Sequence, residues 1–112
     1  MTSGEQVHDP ELETSVAAVA TGLASGAIHL IDVRERDEWD AGHVAGAILI
    51  PMSEFANRVQ EIEPNQAIVT MCHVGGRSLY VAEALTAAGY PNVRSMAGGM
   101  QAWIAAGQPV EY

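Results

Sequence analysis

The chain has 112 residues, 48% of them hydrophobic, enough for one core and too short for a second domain of ordinary size. Fourteen acidic residues face five arginines and no lysine, for a net charge of −9, which excludes a phosphate-neutralising nucleic-acid surface and an anionic membrane as partners. One cysteine excludes an internal disulfide and a four-thiolate metal site. With no transmembrane-length apolar run and no apolar core in residues 1–10, the expected location is the cytoplasm.

Residues 1–9 are polar and read as a loose lead-in, with residues 6–8 suited to a short edge strand; residues 10–112 read as the domain. Leu12, Val16, Val19, Ala20 and Leu23 recur at helical spacing and predict a helix over about 11–24, weakened at its end by Gly22 and Gly26. Residues 28–33 form an apolar strand with Asp32 and Arg34 at its C-terminal end, followed by a charged turn or short helix over 35–40. Gly42 and Gly46 bracket His43, Val44 and Ala45, and residues 47–50 form a second buried strand that Pro51 stops. Ser53 is a candidate cap for a helix to about Ile62.

Residues 67–71 are the third clear strand, and a helix over 78–88 follows with Val81, Ala84, Leu85 and Ala88 inward and Gly89 at its end. Residues 93–96 are a weaker strand. Gly98 and Gly99 turn the chain into a last helix over about 100–106, with Trp103 and Ile104 toward the core. Short buried strands alternating with helices predict an α/β fold, a four- to five-stranded mostly parallel sheet with helices on both faces. In such a sheet ligands bind beyond the C-terminal strand ends, where Asp32, Cys72 and Gly98 all fall.

The chemistry concentrates at Cys72-His73-Val74-Gly75-Gly76-Arg77-Ser78. A strand leads into Cys72 and a helix leads away, so loop amides and a helix N-terminus converge on one thiol and favour its reactive thiolate. Glycines at 75 and 76 let the backbone curl with its N–H groups inward, and Arg77 adds positive charge. Free cysteines are commonly buried packing residues, but the Gly-Gly-Arg-Ser continuation favours an exposed nucleophile here. His73 stands either as a general base or as a surface loop residue. Asp32 reads as structural, with orientation of an arginine or a loop amide as its other use. Arg34 and Arg36 are solvated charges unless they touch substrate. Trp39 and Trp103 read as packing residues.

These segments resemble the rhodanese family of sulfurtransferases. Asp32-Val33-Arg34-Glu35 with Glu38-Trp39 and Gly42-His43-Val44-Ala45-Gly46-Ala47 is similar to its N-terminal motif. Cys72-x-x-Gly75-x-Arg77-Ser78 is similar to its active-site loop, and Gly89-Tyr90-x-Asn92-Val93, Gly98-Gly99 and Trp103 to its C-terminal motif. The resemblance spans about residues 10–110 and implies a rhodanese-like fold in which Cys72 forms a persulfide. By that resemblance His73, Val74, Gly75, Gly76, Arg77 and Arg34 form the substrate-binding set, with the amides of residues 73–77 holding the transferred sulfur. Asp32, Ser78, His43 and Gly98 support the architecture.

The implied partners are a small anionic sulfur donor such as thiosulfate and a cyanide or thiol acceptor, with a protein acceptor the alternative in a sulfur-relay module. No cofactor or metal is implied. Rhodanese-like phosphatases and arsenate reductases place five residues between cysteine and arginine, whereas four lie between Cys72 and Arg77 here, a smaller ring that suits one sulfur atom. The mercaptopyruvate-specific loop pattern is broken at His73, Val74 and Arg77.

Overall fold

A computed structural model describes residues 12–112; the edge strand expected at residues 6–8 lies outside the described residues. The chain order is β1 (Glu13–Thr14), α1 (Val16–Ser25), β2 (His29–Asp32), α2 (Arg36–Asp40), β3 (Ile48–Leu49), α3 (Phe55–Arg58), β4 (Ile68–Met71), α4 (Gly76–Ala87), β5 (Val93–Met96) and α5 (Gly99–Ala105). The five strands form one sheet in the order β1-β5-β4-β2-β3, and every pairing is parallel. All four residues of β4, the central strand, are buried, as a strand covered on both faces must be.

Strand alternation divides the core in two. Ile68 and Cys72 join Ile31, Val33, Val81, Leu85 and Val93 on the face covered by α3 and α4. Val69 and Met71 join Val19, Leu30, Met96, Met100 and Trp103 on the face covered by α1 and α5. Because residues two apart on a strand share a face, Thr70 and Ser95 point toward α4 with Ile68 and Val93; their register pairs Thr70 with Ser95.

Several local expectations shift. The first helix begins at Val16 because the Ser15 hydroxyl accepts the Ala18 amide at 3.1 Å, and Glu13–Thr14 ahead of it is a strand too short to show periodicity. Gly26, at φ 79°, ends that helix in the left-handed conformation. The helix expected from Ser53 to about Ile62 breaks into 3-10 turns at Met52–Glu54 and Val59–Glu61 around the single turn of α3. Ser53 does not cap it: its hydroxyl donates to Glu35 Oε1 at 2.6 Å and its amide to Oε2 at 3.1 Å. On α4 the inward set is Ser78, Val81, Ala82 and Leu85, while Ala84 and Ala88 are exposed. On α5 Trp103 is buried and its indole N–H donates to the Pro109 carbonyl, but Ile104 is 55% exposed because the next residue around a helix turns off the buried face. Among the described residues no helix is long and apolar enough to cross a membrane.

Candidate active site

Cys72 is the first residue beyond β4, and its sulfur is enclosed by the turn that becomes α4. The Gly75 amide donates to Sγ at 3.1 Å and the Ser78 amide at 3.4 Å. The Ser78 hydroxyl lies 3.4 Å from the same sulfur. Burial by itself pushes the thiol up; the hydroxyl and amide of Ser78 and the amides of Gly75 and Val74 outweigh it and hold the thiol below its ordinary value. The loop amides thus face inward, as a nucleophile cradle requires. The sulfur is not exposed, however: Cys72 is only 1% accessible, because the chain folds straight over the strand end into α4.

The inward turn of these amides is enforced from the outside. The N-terminus of α5 takes the opposing carbonyls: Met100 N–H donates to Cys72 O at 2.8 Å and Gln101 N–H to His73 O at 3.0 Å. Gly98 supplies the left-handed turn (φ 79°) that aims α5 at the loop, and a Cβ on Gly99 would strike the carbonyls of Cys72 and His73. Gly75 sits at φ 111°, and a Cβ there would come within 3.3 Å of the Gly98 nitrogen. His73 and Val74 are exposed at the rim, with Gly76 exposed beside them and no side chain to obstruct it.

The arginines take other places. Arg34, expected among substrate contacts, is 4% exposed and turned inward. Its Nε and Nη2 bind the buried carboxylate of Asp32 at 2.8–3.1 Å, and further donations reach Gly42 O at 2.9 Å and Glu38 O at 3.2 Å. A buried carboxylate demands a partner of this kind, so Asp32 claims the guanidinium that solvent or substrate would otherwise meet. Arg77 reaches across to α2 and binds Glu38 bidentately at 2.8 and 2.9 Å. That pair pulls the Glu38 carboxyl down to about 2 and raises Arg77. Glu38 also accepts the Glu35 amide at 3.0 Å, completing a capping box on α2.

His43 is engaged by Trp39 and Glu111. Its ring stacks on Trp39 with centroids 3.9 Å apart, Nδ1 bonds the Trp39 carbonyl at 2.9 Å, and its backbone bridges to Glu111. The buried polar residues that sequence reading passed over are Thr70 and Ser95. Thr70 Oγ1 donates to Ser78 O at 2.8 Å, and Ser95 Oγ lies 2.8 Å from Ser78 Oγ. The available signal was a hydroxyl at an inward position of a buried strand. Among the described residues no cluster of His, Cys, Asp and Glu is suited to hold a metal ion.

A thiol held below its ordinary value by the Ser78 hydroxyl and by the amides of Ser78, Gly75 and Val74, set between a parallel strand and a helix N-terminus, is the centre of the site on this α/β sheet. The chain belongs to the rhodanese-like domain family, whose model matches residues 15–106. It is 33% identical over 76 residues to YrkF, a proposed sulfur carrier protein of Bacillus subtilis, covering 68% of this chain and 41% of that protein. It is 31% identical over 113 residues to the HTH-type transcriptional regulator Rv0324 of Mycobacterium tuberculosis, covering 99% of this chain and 50% of that protein. With the human thiosulfate:glutathione sulfurtransferase it shares 33% identity over 97 residues, covering 73% of this chain and 84% of the relative. The chain thus spans half or less of the first two relatives' length. A rhodanese-related protein from Thermoplasma volcanium has the same fold, with a TM-score of 0.81, 31% identity and coverage of 88% and 96% of the two chains.

Proposed function

We propose that this domain is a sulfurtransferase that carries a sulfane sulfur as a persulfide on Cys72, with thiosulfate or a similar anion as donor and cyanide or a thiol as acceptor. The observation that supports it most is the pair of amides donating to Sγ, Gly75 N–H at 3.1 Å and Ser78 N–H at 3.4 Å, with the Ser78 hydroxyl 3.4 Å from the same sulfur. Fixed donors stabilise a thiolate before transfer and an anionic persulfide after it. Similarity to a human enzyme named for sulfur transfer from thiosulfate to glutathione supports the same reading.

The chemistry runs in two displacements. Cys72 thiolate attacks the outer sulfur of thiosulfate, a new S–S bond forms, and the old one breaks with its electron pair leaving on sulfite. The acceptor then attacks the outer sulfur of the persulfide, and the pair returns to Sγ. No outside oxidant or reductant enters, and neither step needs a proton relay. In this reading the amides of Val74 and Gly75 and the Ser78 groups bind the sulfur anion. Arg77 holds the loop through Glu38, and Asp32 with Arg34 braces the strand end. The tight packing of Gly75 and Ser78 around one sulfur disfavours a tetrahedral phosphate or arsenate.

A second reading, a persulfide relay to a protein thiol, is favoured by the near-closed sulfur and by the pairing of Arg77, which leaves little free positive charge to draw in a small anion. The test for both is intact-mass analysis after donor treatment. Wild type gains one sulfur that cyanide removes, and Cys72→Ser gains none. A labile sulfur on the variant, or none on wild type with any of several donors, overturns the proposal. Faster unloading by a protein thiol than by glutathione or cyanide selects the relay.

A further inference from the structure

Ser95 lies on β5, 17 residues after Ser78 and outside the active-site motif, yet its hydroxyl reaches into the site. It is fully buried, as are Thr70 and Ser78. A buried hydroxyl must place its proton on an acceptor or lose the energy of that bond. Among the described residues, the acceptor within reach of Ser95 Oγ is Ser78 Oγ, at 2.8 Å. Ser78 Oγ has two other neighbours, Gly75 O at 3.2 Å and Cys72 Sγ at 3.4 Å, both able to accept. If Ser78 donated to Ser95, the Ser95 proton would have no acceptor among the described protein groups. Satisfying both hydroxyls therefore runs the bonds one way, from Ser95 to Ser78 and from Ser78 to the sulfur or the Gly75 carbonyl. Thr70 fixes the pivot by donating to the Ser78 carbonyl at 2.8 Å.

We infer that Ser95 is a positioning residue of a two-hydroxyl relay, in which Ser78 turns its proton to Cys72 Sγ when that sulfur is a thiolate and to Gly75 O when the sulfur is capped. This deepens the sulfur-transfer reading and rests on it for the capped state. A thiolate is the stronger acceptor and draws the hydroxyl. Once the inner sulfur is bonded to a second one, its charge has moved outward, and the neutral carbonyl becomes the better acceptor. The donor behind Ser78 polarises it in both positions. No atom is transferred; one O–H bond rotates.

Few charges compete with this local control. Arg77 of α4 is matched by Glu38 of α2, and Asp32 at the end of β2 is matched by Arg34. α5 carries no charged side chain, Arg94 of β5 lies on the α1 face, and His73 is exposed on the loop itself.

The test is the pH dependence of Cys72 alkylation by iodoacetamide, which requires no sulfur transfer. Ser95→Ala raises the alkylation midpoint by roughly half a pH unit, about a threefold loss of rate below it, by removing the polarising donor. Ser78→Ala raises it by about one unit, since it deletes a bond to a charged sulfur. Ser95→Thr keeps the hydroxyl in a strand-favouring residue and restores the wild-type midpoint. Ser95→Cys, a weak donor of similar size, gives the same upward shift as Ser95→Ala and serves should that variant not fold. Adding Ser95→Ala to Ser78→Ala gives no further shift, because Ser95 acts through Ser78. A wild-type midpoint in both Ser95→Ala and Ser95→Cys, an additive double variant, or a Thr variant that behaves like Ala overturns the relay. A wild type that alkylates as described but never loads sulfur sinks the sulfur-transfer reading instead and leaves the hydroxyl geometry standing.

Discussion

Glu38 does the most for its size. It caps its own short helix, accepts the Arg77 fork, and so joins α2 to the first turn of α4 beside the sulfur. Its carboxyl is held at about 2, chiefly by the Arg77 hydrogen bonds against the opposing effect of burial. A depressed carboxyl stabilises the fold above its unfolded value, and that contribution disappears as pH falls through its folded value. Stability from this pair is therefore constant from neutral pH to about 5 and declines toward pH 2, by on the order of 1 kcal/mol after screening of a partly exposed pair. Urea unfolding of wild type and Glu38→Gln at several pH values measures it. The difference between them shrinks as pH falls; a difference independent of pH would show that the pair contributes nothing. Taking the difference removes the parallel contribution of Glu61, whose carboxyl is lowered by Arg58.

The element that decides the site is α5, which never touches the sulfur. By taking the carbonyls of Cys72 and His73 on its first amides, it fixes those two peptide planes, so that the His73 and Val74 N–H groups, antiparallel to the carbonyls across trans peptides, face away from α5. Gly99 is the hinge of this contact, at φ 58° with no room for a Cβ against those two carbonyls. Gly99→Ala adds left-handed strain and a backbone clash together, a cost on the order of 3 kcal/mol. Calorimetry should record a fall in Tm of about 10 °C or more. The same variant alkylates Cys72 with a higher pH midpoint than wild type as the cradle opens. An unchanged midpoint in a folded, destabilised protein would mean that α5 supports the fold without shaping the cradle.

Across the whole molecule the charge is −9, and the arginine nearest the thiol is already paired. A small dianion such as thiosulfate approaches against this field, while a neutral reagent does not feel it. Raising the ionic strength from about 10 to about 150 mM shortens the screening length roughly threefold to fourfold and should increase kcat/KM for thiosulfate by about two- to fivefold. Alkylation by uncharged iodoacetamide at fixed thiolate fraction stays level. A thiosulfate rate that falls with salt would instead point to a local positive funnel that outweighs the net charge.

How much of this was legible in the chain follows from range. The parallel α/β architecture, the lone cysteine at a strand end and the helix behind it are written in contiguous residues, because strand periodicity, glycine turns and the Cys72-to-Ser78 loop act over a few positions. Asp32 and Arg34 could be located at a strand end, but not their mutual burial, which depends on Gly42 arriving eight residues later. The Arg77–Glu38 pair joins positions 39 apart, and the Ser78–Ser95 contact joins positions 17 apart. Sequence by itself located the main strands and helices and the one thiol in its glycine loop, since those are local steric and hydrophobic choices. Only the tertiary structure decided which charges cancel, which hydroxyls meet and how deeply the sulfur lies, because each depends on where a distant segment packs.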